Sequence, residues 1–175
     1  MKLIVRIWLT LFVIFLSGCS ASVDDYAHKT PRFELFEYFN GRVTAWGMVQ
    51  DYTGMQNRRF TVAIQGHVDG DVLVLDESFI YDDGERQTRV WTITRKADGR
   101  YIGVADDIIG QAEGKTKGNA LNWIYDMDVV VDGDPIRLRF DDWLYRQDDK
   151  HLFNITTLKK WGITVGQVTL FFEKQ

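Results

Sequence analysis

The chain has 175 residues, and its 21 Lys and Arg against 25 Asp and Glu leave a formal net charge of −4. An acidic chain without a basic cluster gives no footing for nucleic acid, and the length suits one domain with a sizeable core. Cys19 is the only cysteine, which excludes an internal disulfide, so apolar packing, with 14% of residues aromatic, must hold the fold.

The chain opens with Lys2 and Arg6, then an uncharged, mostly apolar stretch from Ile7 to Leu16 interrupted by Thr10 alone. A basic start, about ten apolar residues and small residues before a cut define a secretory signal. The stretch is shorter than the roughly 20 residues of a spanning helix. Leu16-Ser17-Gly18-Cys19 resembles the lipobox of bacterial lipoproteins. The resemblance implies a diacylglycerol thioether on Cys19, cleavage before it and acylation of the new amino group. Ser20 stands where an aspartate tends to retain such proteins at the inner membrane, so the resemblance points to the outer membrane, facing the periplasm. Residues 1–18 are thus read as signal peptide, 19–30 as a lipidated tether and 31–175 as one β-barrel-like domain. Cleavage removes Lys2 and Arg6 and lowers the net charge from −4 to −6.

Ser20 to Thr30 is polar and lacks periodicity. Phe33, Phe36 and Phe39, with Glu34 and Glu37 between them, predict a short amphipathic helix ending near Asn40-Gly41. Beyond it the period becomes two. Phe60, Val62, Ile64, Gly66 and Val68 share one face. Leu121, Trp123, Tyr125, Met127, Val129 and Val131 share another, and Ile136, Leu138 and Phe140 a third. Asp69-Gly70-Asp71, Asp83-Gly84, Asp98-Gly99, Gly118-Asn119 and Asp132-Gly133-Asp134 supply hairpin turns, and Pro135 opens a strand. The pattern predicts nine or ten antiparallel strands from Arg42 to Lys174: an all-β meander forming a barrel or strongly curved sheet. Closure would remove the sheet edges and enclose room for side chains or one small ligand.

Candidate chemistry is sparse. Beyond the signal and tether, Ser78 is the only serine and lacks a nucleophile elbow. His28, His67 and His151 are scattered without zinc spacing, and Asp82-Asp83-Gly84-Glu85 lacks the spacing of a calcium loop. No cofactor or metal is implied. Asp106-Asp107 and Asp141-Asp142 could supply acid and base only through a cross-pair geometry, because adjacent strand residues face opposite ways. Glu77 shares a face with Leu73, Leu75, Phe79 and Tyr81; Arg89 shares one with Trp91 and Ile93. Buried charges need partners, so the two are expected to pair, either as a core ion pair setting register or as a pair orienting a ligand. Trp46, Trp91, Trp123, Trp143 and Trp161 fall in the domain, mostly for core packing.

Several segments resemble a bacterial lipoprotein family catalogued only as a domain of unknown function. They are Phe39-Asn-Gly-Arg-Val-Thr-Ala-Trp-Gly47, Leu75-Asp-Glu-Ser-Phe-Ile-Tyr-Asp-Asp-Gly-Glu85, Arg89-Val-Trp91, Gly103-Val-Ala-Asp-Asp-Ile-Ile-Gly110, Gly118-Asn-Ala-Leu-Asn-Trp123 and Phe140-Asp-Asp-Trp-Leu-Tyr145. The short helix and meander also resemble lipocalins, although Gly41 and Trp46 depart from the lipocalin Gly-x-Trp spacing. These likenesses imply an envelope lipoprotein of lipocalin-like architecture, with no established activity. The reading is a lipid-anchored module binding a small apolar molecule such as a fatty acid, with Glu77, Arg89, Trp91, Trp123 and Tyr125 as ligand-binding candidates. The alternatives are a cavity-free envelope scaffold and, more remotely, an enzyme using paired carboxylates; no catalytic residue is assigned.

Overall fold

Alternation of apolar and polar side chains does organise the chain as an antiparallel meander. The computed structural model describes residues 21–131 and 133–175. These form a one-turn 3-10 helix, Val23–Tyr26, a short helix α1, Leu35–Phe39, and ten strands. The strands are β1 Gly41–Asp51, β2 Gln56–Asp69, β3 Val72–Tyr81, β4 Arg86–Arg95, β5 Arg100–Val104, β6 Ile108–Lys117, β7 Ala120–Val131, β8 Asp134–Arg146, β9 His151–Lys160 and β10 Ile163–Lys174. Each strand pairs with the next, and β10 returns to β1 from Val43↔Lys174 to Asp51↔Gly166, closing the barrel. Closure pairs every strand on both sides for at least part of its length, which removes the free edge strands of an open sheet.

The two barrel ends differ. At one end lie the turns following β2, β4, β6 and β8, together with α1. Phe33, Leu35, Phe36, Tyr38 and Phe39 are buried there and form a floor. Lys174 Nζ donates to the carbonyls of Glu37, Tyr38 and Asn40 at 2.7–2.9 Å, satisfying the end of a helix too short to stand alone. Gly66 is required on the adjoining strand, since a Cβ there would sit 1.7 Å from the Phe39 carbonyl oxygen.

At the opposite end the hairpins β1–β2, β7–β8 and β9–β10 carry exposed apolar side chains. Tyr52, Met55, Val130 and Ile163 stand out, and Trp161 is 91% exposed. The β3–β4 and β5–β6 tips at this end instead carry Asp82, Asp83, Glu85, Asp106 and Asp107.

Residues 21–30, read from sequence as an extended tether, instead lie against the barrel. Ser22 and Asp25 cap the 3-10 turn reciprocally, and Asp24 pairs with Lys115 at 2.8 Å. Tyr26 packs beside Trp143 and Tyr145, with ring centroids 5.7 and 5.6 Å away. Polarity concealed this because a single aromatic anchor and one ion pair leave no periodicity. Residues 1–18, read from sequence as a signal peptide, lie outside the described residues, as do Cys19, Ser20 and Asp132. No helix among the described residues is long and apolar enough to cross a membrane.

Candidate functional site

The barrel is hollow. A cavity of about 780 Å³ runs from Leu35 and Phe39 on the floor to Asp51, Arg58, Val131 and Lys160 near the open end. That volume falls within the range typical of small-molecule sites, on the order of 300–1,000 Å³. Its walls come from the alternation itself: the inward rows of the long strands are mostly Val, Ile, Leu, Phe and Met, and the polar exceptions are few.

All five residues singled out from sequence line this cavity. Trp91 on β4 meets Trp123 and Tyr125 on β7 edge-on, with centroids 5.7 and 5.4 Å apart, and Tyr125 stacks on Phe140 of β8 at 4.9 Å. β5 and β6 separate β4 from β7 in the sheet, so this contact needs a thin wall between them. Gly103 and Gly114 provide it: Cβ atoms there would lie 2.5 and 2.2 Å from the Trp123 ring. Of the other tryptophans, Trp161 is exposed, while Trp46, 42% exposed, stacks on Phe171 outside the barrel and Trp143 lies beside Tyr145. Among the described residues, Trp91 and Trp123 are therefore the tryptophans that serve the interior.

Glu77 and Arg89 face each other across the β3–β4 ladder, 3.9 Å apart at the nearest approach of carboxylate and guanidinium. Arg89 makes its close contacts elsewhere. Its Nε and Nη2 donate to Asp107 at 2.9 and 2.6 Å, and Nη2 also approaches Met127 Sδ at 3.3 Å. β5 ends at Val104 and pairs only with Thr92–Arg95, so β4 from Arg86 to Trp91 has no strand partner on that side. Asp107 and Arg89 bridge that gap in the wall.

Asp142, Asn154 and Thr156 add to the polar lining on the wall of β8 and β9. The sequence offered Asp142 only as half of an acidic pair, and nothing in it drew attention to Asn154 or Thr156. Asp142 occupies the inward row of β8 between Phe140 and Leu144, opposite Trp123 on β7 and Thr156 on β9. The inward phase of Phe140 is the signal that could have found it: two residues on, the same face reaches Asp142. Asp142 Oδ1 is buried with no hydrogen-bond partner. An unsatisfied buried acceptor of this kind costs on the order of 1–3 kcal/mol. Asn154 accepts from the Thr156 hydroxyl at 3.2 Å and donates to the Trp143 carbonyl at 3.3 Å. The outward neighbour Asp141 instead pairs with Lys159 at 2.7 Å.

The electrostatics follow from burial. Loss of water pushes Glu77 up to about 7, against the pull of Arg89 and with the repulsion of Asp107 and Asp142. Burial likewise pushes Asp142 up to about 7, with Thr156 and Arg89 offsetting part of the rise. Burial works against the Arg89 charge, but the hydrogen bonds to Asp107 and the nearby Glu77 more than compensate, so it stays cationic. Burial raises the Tyr125 phenol well above its ordinary range. Away from the rim the cavity thus holds one cation, Arg89, and two buried acids, Glu77 and Asp142, that it compensates only in part. Among the described residues, no group of three or more His, Cys, Asp and Glu is placed to hold a metal.

An up-and-down meander closed around an apolar cavity, with a short N-terminal helix, is a barrel of lipocalin-like architecture. Residues 13–174 match the family model described as "Protein of unknown function (DUF3833)", and the chain belongs to that family. Among solved structures, it is similar to a DUF3598-family protein of unknown function from Nostoc punctiforme. The TM-score is 0.60 at 14% identity, over 84% of this chain and 51% of that one. It is also similar to an S-type phycobiliprotein lyase from Guillardia theta, with a TM-score of 0.53 at 8% identity over 80% of this chain and 90% of that one. The chain spans about half the length of the Nostoc protein. At these identities the likeness is one of fold. No curated protein matches the chain.

Proposed function

We propose that this protein is a lipid-anchored lipoprotein of the bacterial envelope whose barrel takes up one small, mostly apolar molecule. The cavity of about 780 Å³, apolar along most of its length with one polar station inside a polar rim, carries the reading. The apolar body is of the kind an acyl chain or lipid fragment fits. Lipid at Cys19 would hold the molecule at a membrane, on the periplasm-facing side of the outer membrane. The folded structure begins by Ser22, so the three residues 19–21 leave a reach of only about 10 Å between anchor and barrel. A cavity-free scaffold does not fit an interior of this size, and the reading assigns no catalytic step.

The chain from residue 21 onward, which contains the whole barrel and floor, should be titrated with C12 and C16 acyl compounds while tryptophan emission is followed. Trp91 and Trp123 line the cavity, so saturable binding at one equivalent is expected to change their emission. No saturable binding by any of them, nor by dodecanol or dodecylamine, would overturn the ligand-binding part of the proposal.

A further inference from the structure

Charge inside the barrel is unbalanced, and the imbalance specifies what an occupant should carry at its polar end. Arg89 is the cavity's deep cation, and Asp107 already holds two of its nitrogens. Its remaining approach, at 3.9 Å, is towards Glu77. A ligand carboxylate would have to displace Asp107 and enter beside Glu77 and Asp142, adding negative charge to an acidic station. The group that lacks a partner is an acceptor: Asp142 Oδ1, buried in the cavity lining between Phe140 and Leu144. Buried polar atoms are otherwise almost always satisfied, so an orphan oxygen on a carboxylate that lines the cavity marks where a ligand donor belongs once the side chain turns towards it.

Glu77 and Asp142 lie on opposite walls, on β3 and β8, and Glu77 feels the charge of Asp142. Tyr125, stacked on Phe140, senses both and Arg89. A hydroxyl would offer one donor and no charge. An ammonium offers three donors and the positive charge called for by a station where Glu77, Asp107 and Asp142 share the single guanidinium of Arg89.

We propose that this station binds the protonated amine of an otherwise apolar molecule, with Asp142 and Glu77 as its acceptors and the aromatic cluster of Trp91, Trp123 and Tyr125 around its alkyl body. The proposal rests on the reading of the cavity as a ligand site and names the ligand's chemical class. Both carboxyls titrate near neutrality beside Arg89, Asp107 and Tyr125, which adds a direction. Uptake of an amine favours ionised carboxylates, so amine affinity rises as pH increases through about 7.

The test compares dodecylamine, dodecanol and dodecanoic acid, equal in chain length, by tryptophan emission on the chain from residue 21 onward. Dodecylamine should bind at least tenfold tighter than dodecanoic acid, with dodecanol between them. Asp142→Asn should weaken the amine at least tenfold and leave dodecanol within threefold. Far-ultraviolet circular dichroism checks the variant's fold; should Asp142→Asn not fold, Glu77→Gln takes its place with the same criterion. Dodecanoic acid binding as tightly as the amine, or amine affinity unchanged in the variant, overturns the amine assignment and leaves the cavity reading standing. Failure of all three to bind overturns both.

Discussion

Arg89 stands directly across the β3–β4 ladder from Glu77, yet its guanidinium closes on Asp107, eighteen residues further along the chain. The cross-strand pair is the looser of the two contacts, at 3.9 Å against 2.6 Å. Removing Asp107 should therefore cost more than removing Glu77. Asp107→Ala deletes charge-assisted hydrogen bonds to a largely buried cation, a loss of about 1.5–3 kcal/mol, moderated because Asp107 is partly exposed. Glu77→Gln removes an acid that burial already disfavours and should change stability by less than about 1 kcal/mol. Urea melts at pH 7 give the ranking directly; a larger loss in Glu77→Gln would make the cross-strand pair the principal one.

Stability should fall as pH rises from 5 to 8. Folding raises Glu77 and Asp142 from 4.5 and 3.8 to about 7, so the folded chain holds protons that the unfolded chain has released. Their contribution is complete below the unfolded values and is lost as pH climbs through the folded ones. Each tenfold gain in proton affinity on folding corresponds to about 1.4 kcal/mol, so the loss is on the order of a few kcal/mol. Denaturant midpoints should be lower at pH 8 than at pH 5, and Asp142→Asn should flatten the dependence. A midpoint that rises across this window contradicts the buried state of both acids.

Gly114 keeps the cavity open by letting the Trp123 ring lie close against β6. Gly114→Ala places a Cβ where the ring now is, 2.2 Å from its Cε3. Either the ring swings into the cavity or the wall shifts. Overpacking of this kind costs about 1–3 kcal/mol. Tryptophan emission should shift, and the affinity for dodecyl ligands should drop by at least fivefold. A variant with wild-type emission and stability would mean the wall gives way without cost.

Trp161 holds a strained position. It has φ 52° beside Gly162 at φ 83°, so both central residues of the β9–β10 hairpin have the positive φ that a type I′ turn demands. A tryptophan is poorly suited to that backbone, and at 91% exposure it gains nothing from burial. Trp161→Asn, creating the favoured Asn-Gly pair, should stabilise the barrel by about 0.5–1 kcal/mol in thermal or urea melts. A loss of stability would show that the indole packs against the rim.

The proposed lipid attachment depends on a single sulfur. Cys19→Ser should abolish incorporation of labelled palmitate and release the protein from the membrane fraction, because no other cysteine is present. Equal labelling of the variant would remove the anchor from the proposed function.

Local pattern was enough for much of this molecule. A period of two, interrupted by Asp-Gly and Gly-Asn turns, determines an antiparallel meander and tells which side chains share a face, since strand geometry leaves only two faces to choose between. That is why Glu77, Arg89, Trp91, Trp123 and Tyr125 could be placed on inward rows before any contact was known, and why Phe33 to Phe39 announced a helix. Tertiary structure alone decided which of these inward groups meet. Barrel closure, floor and cavity size depend on how far ten strands curve before β10 finds β1. Arg89 chose Asp107 because β5 stops short, and Tyr26 found its place because Gly118 lets the chain pass close to the β6–β7 turn. Asp142 looked like half of an ordinary acidic pair until the register put it inside and left its oxygen without a donor. Alternation is a property of neighbours along one strand; partnership across a barrel depends on curvature and register summed over every strand between.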